Sequence, residues 1–114
     1  MSTLSLLIQQ RYLDAIAAGD KTVEGRLDGP RFADLRAGDT LELRAVDAAR
    51  TLRCAVERVQ RYPSFAAMLS AEGLSSALPG VGTVSEGVAI YRAFPGYDQE
   101  HLRGVVAMAV RPLH

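Results

Sequence analysis

Apolar positions along the chain recur with two periods. Residues 4–8, LSLLI, are a short apolar run that predicts a strand. In residues 9–18, Tyr12, Leu13, Ile16 and Ala17 fall on one helical face, and Gly19 is placed to end the helix. A second strand is predicted to begin near Lys21 and to run to Leu27. Gly38-Asp39 is a turn signal opening the alternating run TLELRAV, and Asp47 to Arg50 can turn the chain back into TLRCAVERVQRY. The alternation predicts a hairpin with Leu41, Leu43, Leu52, Cys54 and Val56 facing inward.

Beyond Tyr62-Pro63 the period changes back. In SFAAMLSAEGL, Ser64 stands at an N-cap position, Phe65, Met68 and Leu69 recur at helical spacing, and Gly73 stops the helix. LPGVG reads as a loop. TVSEGVAIYRAF begins with a Thr83/Glu86 capping box and sets Val84, Val88 and Tyr91 along one stripe, which predicts a third helix despite Gly87. GVVAMAVRPL is continuously apolar between Gly104 and Pro112, as suits a strand buried on both faces that closes the sheet. The strands are too few for a doubly wound sheet. The expectation is an α+β protein: one small mixed barrel, with about three helices on its side and over an opening.

Composition narrows the function classes. The 114 residues suffice for a single core, so one domain spanning 1–114 is expected. With 48% apolar and 23% charged residues, the composition is that of a soluble globular protein rather than a disordered one. No apolar run nears the roughly 20 residues of a membrane span, and MSTLSLLIQQR has neither the basic start nor the cleavage site of a secretory signal, so a cytoplasmic location is expected. Cys54 is the sole cysteine and reads as a small buried side chain. His101 and His114 stand apart with no ligand cluster around them, so neither metal nor cofactor is expected. A net charge of zero leaves room only for a local nucleic-acid contact. Of the thirteen basic residues twelve are Arg, and Lys21 is the one lysine.

That lysine opens the segment with the most chemistry. In a strand from Thr22 to Leu27, Thr22, Glu24 and Arg26 share one face while Val23 and Leu27 share the other. The segment is either a solvated strand carrying a weak surface pair or the wall of a polar pocket. In a pocket, Arg26 offers a planar fork to a carbonyl, carboxylate or phosphate, Glu24 accepts from an amino group, and Lys21 supplies a titratable amine. Such groups recognise a base edge and its backbone. Tyr62, Ser64 and Tyr91 are further candidates. Tyr91 either packs or meets a base, whereas Ser64 is more naturally a helix cap than a nucleophile. Arg53, Arg58 and Arg61 form either a solvated face or phosphate contacts.

Several ordered blocks together carry a resemblance: Gly19-x-Lys21-x-x-Glu24-x-Arg26, the Gly38-Asp39 turn, Tyr62-x-Ser64-Phe65 and the closing Gly104-Val105. They span nearly the whole chain and resemble the ASCH domain family, a branch of the PUA-like barrels. The resemblance implies a cleft beside the barrel that binds RNA or a nucleoside-like small molecule. It also implies a possible second activity, because one group within the family is similar to small amidohydrolases that deacylate N4-acylated cytidines such as N4-acetylcytidine. There Lys21 matches the catalytic lysine, Glu24 stands where that group has threonine, Thr22 is a nearby hydroxyl, and Glu86 is the first acid in the region before the last helix. A protein-interaction module is the third class the sequence leaves open.

Overall fold

The computed structural model describes residues 2–47 and 49–113. The predicted turn over Asp47 to Arg50 includes Ala48, and His114 is the C-terminal residue; both lie outside the described residues. The chain runs β1 (Thr3–Ile8), α1 (Gln10–Ala18), β2 (Val23–Leu27), β3 (Thr40–Ala45), β4 (Thr51–Tyr62), α2 (Phe65–Glu72), α3 (Leu74–Ala77), α4 (Val84–Arg92), α5 (Glu100–Arg103) and β5 (Val105–Pro112), with 3-10 turns at Pro30–Phe32 and Tyr97–Gln99. All five predicted strands and the three predicted helices are present. The four-residue helices α3 and α5 were not foreseen.

One sheet has the order β1-β3-β4-β5-β2. β1 pairs parallel with β3, and the other pairings are antiparallel. The strand expected to close the sheet, β5, instead sits between β4 and β2, so β2 is the final strand. The twelve-residue β4 joins both halves, pairing with β3 through its first part and with β5 through its second. A register shift between Val56 and Arg58 bends it there, as a bulge does. The result is a curled half-barrel with the α+β make-up of PUA-like barrels.

Two apolar clusters hold this curl. Leu6, Leu13, Ile16, Leu41, Leu43 and Cys54 belong to the cluster inside it, where α1 fills the hollow. Phe65, Met68, Leu69 and Tyr91 belong to the cluster beneath α2 and α4. β5 serves both: Val106, Met108 and Val110 face the first and Val105 and Ala107 the second. Its continuous apolar run follows directly from burial on two faces. The Cys54 thiol, fully buried, is pushed up to about 11, first by burial and then by the charge of Glu24, which suits packing rather than nucleophilic chemistry.

Local signals end the helices where expected. Gly19 is left-handed at φ 85° and its amide caps α1, a conformation glycine adopts without penalty. Ser64 and Thr83 accept from the amides of Ala67 and Glu86 at 3.0 and 3.1 Å, fixing the first turns of α2 and α4. Glu100 on α5 is a less local cap. It is buried, accepts from the Phe65 amide at 2.6 Å at the start of α2, and is held by Arg92 Nε at 2.6 Å. Removing it strands a buried amide and frees Arg92. Glu100→Ala is therefore expected to cost about 3 kcal/mol, read as a lower urea midpoint with an unchanged slope.

Candidate ligand-binding site

The two ends of the sheet, β1 and β2, come together across a seam. Arg26 on β2 donates through Nη2 to Leu7 O on β1 at 2.7 Å. At this seam lies a cavity of about 330 Å³. Tyr12, Tyr91, Phe94 and Tyr97 give it aromatic walls, with Glu24 and Arg26 among its polar groups. Leu7 and Val46, 62% and 58% exposed, form an apolar rim. Among the described residues no three or more His, Cys, Asp or Glu group as metal ligands, and no helix is long and apolar enough to cross a membrane.

The predicted alternation explains how the polar groups arrive there. Val23 points under the helices, so Glu24 and Arg26 point the other way. Lys21, just before the strand, sends its stem inward and is 2% exposed. Its Nζ donates to Val23 O at 2.6 Å and Ala77 O at 2.5 Å, and lies 3.2 Å from Glu24 Oε1. The Ala77 carbonyl ends α3, where a cation is favoured. Three acceptors around one nitrogen match the three donors of an ammonium. Burial pulls the Lys21 pKa down and Glu24 pushes it back, leaving it below the ordinary lysine value.

Glu24, 6% exposed, is the hub: its Oε2 accepts from Arg26 Nε at 2.8 Å and lies 2.8 Å from Nη2. Burial works to raise its pKa, but the cations Lys21 and Arg26 outweigh that and hold it below the ordinary carboxylate range. For Arg26, burial opposes the charge and Glu24 more than restores it. Two cations around one anion leave the cluster with a net charge of plus one. An electron-rich ligand, carrying carbonyl oxygens or a negative charge, is favoured beside it.

These carboxylates also set the acid limit of the fold. Glu24 is depressed for the reasons above, and Glu72 by its hydrogen bond from Arg58, both below the ordinary glutamate value of 4.5. A depressed folded pKa contributes stability that is complete above the unfolded value and is lost as pH falls through the folded one. The urea midpoint is expected to hold from neutral pH to about 4.5 and to fall below it, and to fall less steeply in Glu24→Gln.

Of the residues singled out in the sequence, Lys21, Glu24, Arg26 and Tyr91 meet at the cavity. Tyr62 and Ser64 do not line it. The Tyr62 hydroxyl binds Glu72, which also takes a fork from Arg58 at 2.8 and 2.5 Å, while Ser64 caps α2. Thr22 is exposed, its amide spent on Ser76 O. Glu86 is exposed at the start of α4, away from the cavity lining. Arg53 and Arg61 lie against Glu42 and Asp28, which accounts for their charge without phosphate. Tyr12, Phe94, Tyr97 and Gly25 were not foreseen as part of the site. Their signals were aromatic spacing at 91, 94 and 97 and a glycine inside a strand.

A curled five-stranded sheet with a ligand-sized cavity and a buried charge cluster at its open seam defines a small PUA-like half-barrel. The chain belongs to the ASCH domain family, whose model matches residues 6–114. It is similar to a hypothetical protein, PH0355, of known crystal structure, with 34% identity over 99% of this chain and 100% of that one and a TM-score of 0.88. The solution structure of PF0455 from Pyrococcus furiosus is 32% identical over 98% of both chains, with a TM-score of 0.78. The ASCH domain from Lactobacillus crispatus shares the fold at 12% identity, covering 97% of this chain and 78% of that one, with a TM-score of 0.68. No curated protein matches the chain.

Proposed function

We propose that the seam cavity binds a nucleoside-like small molecule, either free or as an unstacked base of RNA. The observation that carries this reading is the buried Glu24–Arg26 pair on the wall of a cavity with aromatic sides. Glu24 retains lone pairs for an amino group, and the five donors of the Arg26 guanidinium exceed the acceptors it meets on Glu24, Leu7 and Tyr97, leaving one for a carbonyl. The aromatic walls offer a flat ring surfaces to lie on. At about 330 Å³ the cavity is at the small end of ligand sites, room for one nucleoside rather than a stretch of strand. Membership of the ASCH family supports the same class of ligand.

Titration with nucleosides and short single-stranded RNAs tests the reading. Saturable binding that changes little with salt identifies a pocket ligand, whereas affinity that falls steeply with salt identifies a polymer held by its phosphates. Failure of every nucleoside and RNA, with a protein partner captured instead, would replace this reading with the interaction-module class.

One observation favours a second reading, hydrolysis of an N4-acylcytidine or related amide: the chain's one lysine is buried at the cavity with a lowered pKa. The three acceptors on Nζ oppose it, because a base needs a free lone pair. Free cytidine formed from N4-acetylcytidine by the wild type and not by Lys21→Ala would establish hydrolysis, and its absence from both leaves binding.

A further inference from the structure

β2 ends the sheet, and the phase of its pairing with β5 decides which of its backbone groups are left over. Val110 N donates to Thr22 O and Asp28 N to Gly104 O, both at 3.0 Å. The same register matches Glu24 with Met108 and Arg26 with Val106. Residues 22, 24, 26 and 28 therefore turn their backbone groups toward β5, and Val23, Gly25 and Leu27 turn theirs to the free edge.

Charged side chains cover most of that seam. Val23 O receives Lys21 Nζ, and on the facing edge of β1 the carbonyls of Ser5 and Leu7 receive Arg31 Nη2 and Arg26 Nη2. Sheet edges are commonly protected in this way. Gly25 is the one of the three that lines the cavity; it is buried, and no strand pairs with β2 on that side.

A second buried polar group waits beside it. The Tyr91 hydroxyl is the one buried side-chain polar atom without a partner among the described residues, on a residue 4% exposed. It would stand 3.1 Å from a Cβ on residue 25, and Met68 Sδ would stand 2.6 Å from it. Only glycine lets these side chains approach the strand so closely. Buried polar groups are normally paired, so an unpartnered hydroxyl beside an open strand edge at a ligand-sized cavity points to a partner that is not protein.

We infer that the backbone N–H and C=O of Gly25, with the Tyr91 hydroxyl beside them, read the ligand by pairing with one edge of a planar heterocycle that carries an acceptor next to a donor. This rests on the nucleoside reading above and narrows it to the face of the base that is recognised. The N–H and C=O of one strand residue lie side by side, as do the ring nitrogen and exocyclic group on the pairing edge of a base. A peptide strand would need the whole edge of β2, but Lys21 Nζ already takes Val23 O and the Arg26 side chain crosses the seam to Leu7 O of β1. Within this site, Glu24 and Arg26 favour electron-rich rings in general, whereas Gly25 selects the edge.

The test uses two matched pairs of neutral nucleosides. 3-Deazacytidine lacks the acceptor of cytidine, and 3-methyluridine covers the donor of uridine. The full-length protein, labelled with 15N, is titrated with all four. The parent that binds is expected to shift the Gly25 amide and to bind about tenfold or more tightly than its altered partner, with Tyr91→Phe weakening the parent severalfold. A parent and its partner binding alike, with the Gly25 amide unmoved, would overturn the inference and leave nucleoside binding intact. If neither parent binds, the nucleoside reading falls and the inference falls with it.

Discussion

Glu24→Ala is expected to destabilise the fold by about 3–5 kcal/mol, a large share of what a domain of this size has to lose. The cost comes less from the lost contacts than from what remains. Lys21 would keep two carbonyl acceptors but lose its counter-charge while 2% exposed, and Arg26 would lose the carboxylate it binds at 2.8 Å. Urea unfolding of the variant measures the loss. The double variant Lys21→Met, Glu24→Ala is expected to recover part of it, because the uncompensated ammonium is removed as well. A single variant within about 1 kcal/mol of wild type would show that Lys21 does not need Glu24, and the charge cluster would cease to explain the seam.

Arg26→Ala is expected to weaken ligand binding about a hundredfold, the scale set by truncating one member of a buried, hydrogen-bonded charge pair. Arg26→Lys is expected to lose most of that affinity too. A lysine keeps the charge but cannot hold Glu24 and Leu7 O while presenting a further planar donor to the ligand. Both variants lose the link between β1 and β2, so their affinities are compared at a temperature where urea melts show them folded. Wild-type affinity in Arg26→Ala would remove Arg26 from the site.

Periodic segments were legible because their burial is periodic. Leu41, Leu43, Cys54 and Val56 all face the inner cluster as the alternation predicts, and Leu52 packs against it half-buried. Helices α3 and α5 escaped because four residues are too short to show a period. Gly87 was tolerated in α4 for a reason that only packing reveals: a Cβ there would stand 2.8 Å from Leu69 Cδ1. The polar face of β2 was legible as a face, yet nothing in the spacing could show that Lys21 would reach Ala77, 56 positions away.

Tyr62 and Ser64 illustrate the opposite limit. Both stand at a strand-to-helix junction, a common place for site residues, but Glu72 one helix later draws the Tyr62 hydroxyl and Arg58 together, and the first turn of α2 takes Ser64. Tyr12 read as part of the apolar face of α1, and it does pack against both clusters while also walling the cavity. Gly25 carried a signal, since glycine inside a strand marks a close approach by something else. What approaches is Met68 and Tyr91, and only the phase of the β2–β5 ladder shows that the backbone edge beside them is open.

The most direct test of the seam cavity as a ligand site is an amide-resolved 15N titration of wild-type protein and Arg26→Ala with cytidine and uridine, run side by side. Saturable shifts grouped at Gly25, Arg26 and Tyr91 in the wild type, absent from the variant at the same concentrations, are the expected result. Shifts that persist unchanged in Arg26→Ala, or that gather away from the seam, would contradict it.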